Sequence, residues 1–178
     1  FVLLSCGHSK TTTKDVTQLQ EAFTHKNEQL FLEQFPEDYE MFVSYFGFEQ
    51  GTENTANVYA PLYEESYDYI AYWFSLLEKP EYQAYEQQLI SICTNALWQV
   101  DGVNYFQDQA LDYIKENKKY DLVNNLTDDE AQVVLSMLFG GPYQASETTF
   151  IEHLSSSKKQ LLLEILREEC RPLRLGKA

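Results

Sequence analysis

Apolar residues recur every three or four positions along most of the chain, which is the spacing of one helix face. The clearest stripe comprises Tyr63, Tyr67, Ile70, Phe74 and Leu77. We find no run of four to eight residues with the strict alternation of a half-buried strand. The pattern therefore predicts an all-α protein, a compact irregular bundle of about seven or eight helices.

Proline and glycine residues set the predicted helix ends. An apolar stripe from Val16 to Phe31 predicts helical structure that stops before Pro36, since the residue preceding a proline avoids the α region. Residues 48–58 lack periodicity and are predicted to form a loop. Pro61 and Pro80 are then expected to open two further helices.

The cleanest local signature is a capping box at Thr127 and Glu130, which predicts a helix start in front of an apolar run. Gly140 is expected to end that helix. Ser157, with Gln160 three residues on, predicts the cap of the last helix. The Asp101–Gly102 dipeptide predicts a break between two helices in the middle of the chain.

The first residues suggest a targeting signal rather than structure. The sequence Leu3-Leu4-Ser5-Cys6, followed by a polar Ser/Thr/Lys stretch, resembles the lipobox of bacterial lipoproteins. The resemblance implies acyl chains on Cys6 and makes residues 1–6 the remnant of a signal peptide. Residues 7–15 are polar and aperiodic and are expected to form a flexible tether, and the length and helical spacing of residues 16–178 predict a single helical domain. The alternative is an apolar first strand that buries Cys6.

Charge narrows the range of partners. Across 178 residues, 28 acidic side chains outnumber 13 basic ones and give a net charge of −15. Such a field repels nucleic acid and anionic lipid headgroups and favours a basic protein partner. No apolar run approaches the roughly 18 residues of a membrane-spanning helix, so membrane contact is expected through the lipid anchor only.

Two further cysteines, Cys93 and Cys170, leave two alternatives open. An envelope compartment is oxidising enough to pair them in a disulfide. Free cysteine is also among the most buried residue types, so two separate buried thiols fit the sequence as well.

Catalytic motifs are absent from the sequence. His8, His25 and His153 lack the spacing of a metal site, and no nucleophile elbow or phosphate loop occurs. We therefore expect a protein that is not an enzyme and that carries no cofactor and no metal.

Aromatic and acidic side chains are concentrated around Pro61. We expect a partner-binding surface formed by Tyr59, Tyr63, Glu64, Glu65, Tyr67 and Asp68. Tyrosines supply rigid contact area, and carboxylates steer a basic partner. The same residues suit a carbohydrate-binding cleft or a glycosidase with paired carboxylates. A simpler alternative is that the acids complete the first turn of a helix.

A wider resemblance covers roughly residues 27–142. The segments Phe35-Pro36-Glu37-Asp38-Tyr39, Phe46-Gly47-Phe48, Pro61-Leu62-Tyr63 and Trp98 to Gln107 resemble small uncharacterised all-helical proteins of Bacteroidetes-type bacteria. Small size, acidity and a helical body also resemble toxin-immunity proteins. These likenesses imply a lipid-anchored, periplasm-facing binding protein, with immunity to a bacterial toxin as the first expectation and an accessory or scaffolding envelope lipoprotein as the second.

Overall fold

A computed structural model describes residues 14–52, 54–94, 96, 101–141 and 148–169. Within these ranges the chain forms helices and one pair of two-residue strands, which confirms the all-α prediction. The elements are α1 (Val16–His25), α2 (Glu28–Gln34), α3 (Tyr39–Phe46), β1 (Phe48–Glu49), β2 (Val58–Tyr59), α4 (Ser66–Leu77), a 3₁₀ helix (Pro80–Tyr85), α5 (Glu86–Cys93), α6 (Gly102–Glu116), α7 (Asp121–Asn124), α8 (Asp128–Phe139), α9 (Thr148–Glu152) and α10 (Ser156–Glu169).

The contacts divide the chain into two compact units, residues 1–35 and 36–178, a division that the hydrophobic pattern does not indicate. The first unit contains α1 and α2. Asp15 caps α1 by accepting a hydrogen bond from the Thr17 amide at 2.9 Å. Leu19 and Phe31 are fully buried. Asp15, predicted as the end of a flexible tether, therefore belongs to the helix start.

The predicted first helix is in fact two helices. Lys26 ends α1 with φ 53°, a left-handed conformation, and the Asn27 side chain then caps α2 by accepting from the Leu30 amide at 3.3 Å. The spacing of apolar residues continues across Lys26 and Asn27, because α1 and α2 each bury an apolar face. Periodicity alone could not locate the break.

The second unit has an aromatic core centred on Phe106 of α6. Its ring lies 5.0 Å from Phe42 of α3, 5.5 Å from Phe74 of α4 and 6.1 Å from Trp73, also of α4. All four side chains are buried. Burial of each large side chain stabilises the fold by about 1.5–3 kcal/mol, so this cluster fixes α3, α4 and α6 relative to one another.

Helix α8 is anchored at both ends. Thr127 and Glu130 form the predicted capping box, and Gly140 ends the helix as expected. At its C-terminal end the buried Gln107 amide of α6 donates to the carbonyl oxygens of Met137, Leu138 and Gly140 at 2.9, 3.1 and 2.7 Å. These bonds satisfy carbonyls that a helix end leaves without an internal partner.

Helix α10 packs along α8 and joins it through an ion pair. The nearly buried Lys158 ammonium lies 2.5 Å from the Asp128 carboxylate in the first turn of α8. The prediction that Ser157 caps α10 was wrong, because the helix already begins at Ser156. Ser157 instead hydrogen-bonds Asp128, and with Lys158 it lowers the pKa of that carboxyl.

The segment after Pro61 also differs from its prediction. Residues 61–65 form successive turns, tied by bonds such as Ser66 N–H to Tyr63 C=O at 3.3 Å, and α4 begins only at Ser66. Glu64 and Glu65 therefore precede the helix, and of the three acids only Asp68 lies in its first turn.

Within the described ranges, no helix combines the length and the apolar character needed to cross a membrane.

Candidate functional site

Strands β1 and β2 bring an exposed tyrosine to the surface. They pair antiparallel with Phe48 opposite Tyr59, and the two rings stack with centroids 6.2 Å apart. The neighbouring Val58 is 63% exposed and Tyr59 is 53% exposed. Neither strand is predicted from the sequence, where residues 48–58 suggest a loop, since two residues are too few to display alternation.

Tyr63 is the centre of the site. Its ring lies 4.7 Å from that of Tyr59 and 6.0 Å from that of Phe48. Its hydroxyl donates a hydrogen bond to the Oδ2 atom of Asp101, which is 38 residues away in sequence. This bond to a carboxylate, together with partial burial, raises the pKa of Tyr63 to about 12, so the hydroxyl keeps its proton at neutral pH.

Asp101 holds a strained backbone conformation, with φ 61° and ψ −111°. Non-glycine residues avoid this region, at a cost of about 1–3 kcal/mol. It occupies the N-cap position of α6, yet its side chain makes no capping bond and points to Tyr63 instead. The next residue must be Gly102, because a Cβ there would lie 2.8 Å from the Phe46 carbonyl oxygen.

Two more tyrosines extend the aromatic surface along α4 and α6. Tyr67 of α4 and Tyr105 of α6 meet edge to face, with centroids 5.5 Å apart. Tyr67 is 54% exposed. Edge-to-face contacts of this kind stabilise a ring pair by about 0.5–1.5 kcal/mol beyond burial, which favours this arrangement of the two tyrosines.

These residues enclose a depression of about 380 Å³ lined by Tyr59, Tyr63, Glu64, Asp101 and Tyr105, which we call the tyrosine–acid pocket. Its lining contains two carboxylates and no basic residue. Within the described part of the chain, no Lys or Arg forms an ion pair with Glu64 or Asp101. The pocket therefore carries negative charge that the described residues leave uncompensated.

A second depression of about 580 Å³ lies next to the pocket and shares Tyr59 with it. Its walls come from α3, the two strands and the segment that follows them, with Val43, Phe48 and Val58 among the apolar lining residues. We call it the apolar groove. Glu40 and Glu49 are its acidic lining residues.

The structure brings together part of the predicted binding surface. Tyr59, Tyr63 and Glu64 line one pocket, and Tyr67 packs beside it on Tyr105. Glu65 and Asp68 do not line that pocket: Glu65 occupies the N-cap position of α4, and Asp68 lies in the first turn of that helix. Of the three acids, only Asp68 therefore lies in the first turn of a helix, as the simpler alternative expects.

Asp101 and Tyr105 complete the pocket and were not predicted as site residues. From the sequence, a helix break at the Asp101–Gly102 dipeptide is favoured over a binding carboxylate beside Trp98. Its strained backbone is invisible in a sequence, and the contact with Tyr63 spans 38 residues. The chain offers no local signal that joins these positions.

The predicted cysteine sites are only partly within the described residues. Cys6 and Cys170 lie outside them, so lipid attachment and the pairing with Cys170 stay predictions. Cys93 is fully buried on α5 and forms no disulfide with a described residue, and burial raises the pKa of its thiol to about 12. A thiol in this state is a poor nucleophile at neutral pH.

The lining of the pocket combines tyrosine rings with carboxylates. Tyrosine rings and carboxylates contact cations, hydroxyl groups and amides, and no histidine or cysteine is among the lining residues. In the described ranges, no three or more His, Cys, Asp or Glu side chains are grouped to hold a metal ion.

No protein-family model, curated protein or solved structure matches the chain.

Proposed function

We propose that this chain is a binding protein whose tyrosine–acid pocket and its surroundings dock a basic protein partner. The observation that carries the proposal is the association of Tyr59, Tyr63, Tyr67 and Tyr105 with Glu64 and Asp101 on one partly exposed surface. Tyrosine is a residue type that dominates binding energy at protein interfaces. The negative charge would steer a basic partner and raise its association rate.

Neighbouring features support a protein partner. The apolar groove adjoins the pocket at Tyr59, so apolar area and charge lie side by side, as they do in the core and rim of protein interfaces. Val58, whose side chain is mostly exposed, adds apolar surface to the groove. A net charge of −15 gives the whole chain the same electrostatic preference.

The setting we propose for this activity is the bacterial cell envelope. The Leu3-Leu4-Ser5-Cys6 sequence supports a lipid anchor that leaves the helical body facing the periplasm. There the partner would be a basic toxin that the chain neutralises as an immunity protein. An accessory or scaffolding lipoprotein that holds a basic envelope component would use the same surface.

The proposal is tested by capture of partners from the native envelope with three forms of the chain as bait. Wild type is compared with Glu64→Lys, which reverses a pocket charge at an exposed position, and with Glu81→Lys, which makes the same change at an exposed residue outside the pocket. We expect one basic protein bound by wild type and by Glu81→Lys but lost with Glu64→Lys. Equal recovery by all three baits, or an acidic partner, would contradict the proposal.

Genomic context distinguishes the immunity role from the accessory or scaffolding role. A gene for a secreted toxin next to this one, and survival of toxin-exposed cells only when the chain is expressed, would support the immunity role. Survival that does not depend on the chain would exclude it and leave the accessory role.

A further inference from the structure

The tyrosine–acid pocket has the composition of an aromatic cage for a cation. Three of its five lining residues are tyrosines and the other two are carboxylates. The rings of Tyr59 and Tyr63 are inclined at 49° to one another, so they form two walls rather than one flat stack. A cation over the face of such a ring is attracted by its quadrupole, and nearby carboxylates add to that attraction.

The hydrogen bond inside the pocket strengthens this preference. Tyr63 donates its proton towards Asp101, which increases electron density on the ring and so its attraction for a cation. The bond also uses only one carboxylate oxygen. Within the described residues the Oδ1 atom of Asp101 receives no hydrogen bond, and it remains an acceptor for an incoming donor.

From these contacts we infer that the pocket binds an arginine side chain of the partner, an inference that rests on the proposed function and names its central contact. A guanidinium group is planar, so it stacks on tyrosine, and its N–H groups donate in a fork that matches a carboxylate. Lysine offers charge without that fork and binds less well. A neutral sugar would stack on the same rings but would leave the charges of Glu64 and Asp101 uncompensated.

The backbone strain at Asp101 fits this role. Placing a carboxylate at φ 61° costs folding free energy, and the side chain gives up the capping bond that an N-cap aspartate ordinarily makes. The conformation directs the carboxylate into the pocket instead. Strain of this kind is typical of positions that orient a group for binding.

The test is a titration of the purified full-length chain with two small probes, followed by NMR of its tyrosine ring signals. N-acetyl-arginine amide carries the guanidinium, and N-acetyl-citrulline amide is its neutral isostere. We expect saturable shifts of Tyr59, Tyr63 and Tyr105 with the arginine probe, weaker as salt is raised, and none with the citrulline probe. Equal shifts with both probes would overturn the inference.

Three variants locate the site. Asp101→Asn keeps an acceptor for Tyr63 but removes the charge, and we expect it to weaken binding of the arginine probe by about tenfold, since hydrogen bonds to charged groups are about twice as strong as neutral ones. The exposed Glu64→Gln variant should also weaken binding, and it decides the matter if Asp101→Asn does not fold. Glu81→Gln, outside the pocket, should bind as wild type does. Unchanged affinity in both pocket variants would overturn the inference.

The outcome separates this inference from the proposed function. Binding of the arginine probe, without recovery of a basic partner from the envelope, would support a cation site and contradict the proposed function. Recovery of a basic partner by a chain that does not bind the probe would place its basic residues elsewhere and overturn the inference. Shifts produced by a neutral oligosaccharide such as maltotetraose, and not by the arginine probe, would identify a carbohydrate site instead.

Discussion

Substitution of Gln107 tests how the second unit is held together. Its side-chain amide is 4% exposed and donates to three carbonyl oxygens at the end of α8. An amide has two hydrogens, so Gln107→Met removes two N–H donors while it keeps a similar side-chain length. Each buried carbonyl left without a donor costs about 1–3 kcal/mol, so the loss of two donors should lower the free energy of unfolding by about 2–6 kcal/mol.

Urea unfolding followed by tryptophan fluorescence measures this loss, because both tryptophans, Trp73 and Trp98, fall in residues 36–178. The midpoint should fall with little change in slope. Gln107→Glu should cost more at neutral pH, since it places a carboxylate against carbonyl oxygens. Gln109→Met, the same change on a half-buried residue of α6, should stay within about 0.5 kcal/mol of wild type. If Gln107→Met and Gln109→Met unfold alike, the three bonds do not hold the end of α8.

Three further predictions concern single side chains. The pKa of Asp128 is lowered in the folded state by Lys158, so the stability that this carboxylate contributes is present above the unfolded pKa near 3.8 and is lost as pH falls through the lower folded value. The gap in melting temperature between wild type and Asp128→Asn should therefore close in acid, and a gap independent of pH would contradict this. Cys93 should resist a thiol reagent in the native chain, and reaction at the rate of a free peptide thiol would show that the side chain is accessible. After denaturation without reductant, Cys93 should react with the reagent unless it is paired with Cys170. Cys6→Ser should abolish labelling by palmitate and release the chain from membranes, whereas unchanged membrane association would exclude the lipid anchor.

Local rules predicted some features of this fold well. The capping box at Thr127 and Glu130 depends on two side chains three residues apart and on nothing else in the protein, so its sequence is sufficient to locate the start of α8. Gly140 ends the same helix for an equally local reason. The apolar stripes gave the all-α class because amphipathic helices must bury one face.

Features without a local signal in the sequence were not predicted. Lys26 adopts a left-handed conformation that interrupts the first stripe without a proline or a glycine. Residues 61–65 form turns rather than the start of α4, and Leu62 is held there by a hydrogen bond to the Tyr45 carbonyl at 2.9 Å. The start of α10 lies one residue before the predicted cap.

The candidate site shows the same limit. Tyr59, Tyr63 and Glu64 are close in sequence, and their composition alone marked them as a surface for binding. Asp101 and Tyr105 join them only because α4 packs on α6. One of the two carboxylates of the pocket, that of Asp101, thus comes from a position whose local sequence favours a turn.

Site-specific photocrosslinking in the cells that produce the chain shows whether a basic protein contacts the tyrosine–acid pocket. A benzophenone amino acid replaces Tyr59, at the junction of the pocket and the groove, or Val133, an exposed apolar residue of α8 that lines neither. We expect irradiation to link position 59, and not position 133, to a single basic protein, and we expect Glu64→Lys to abolish the link. A product at position 133 with none at 59, or a link at 59 that survives Glu64→Lys, would contradict it.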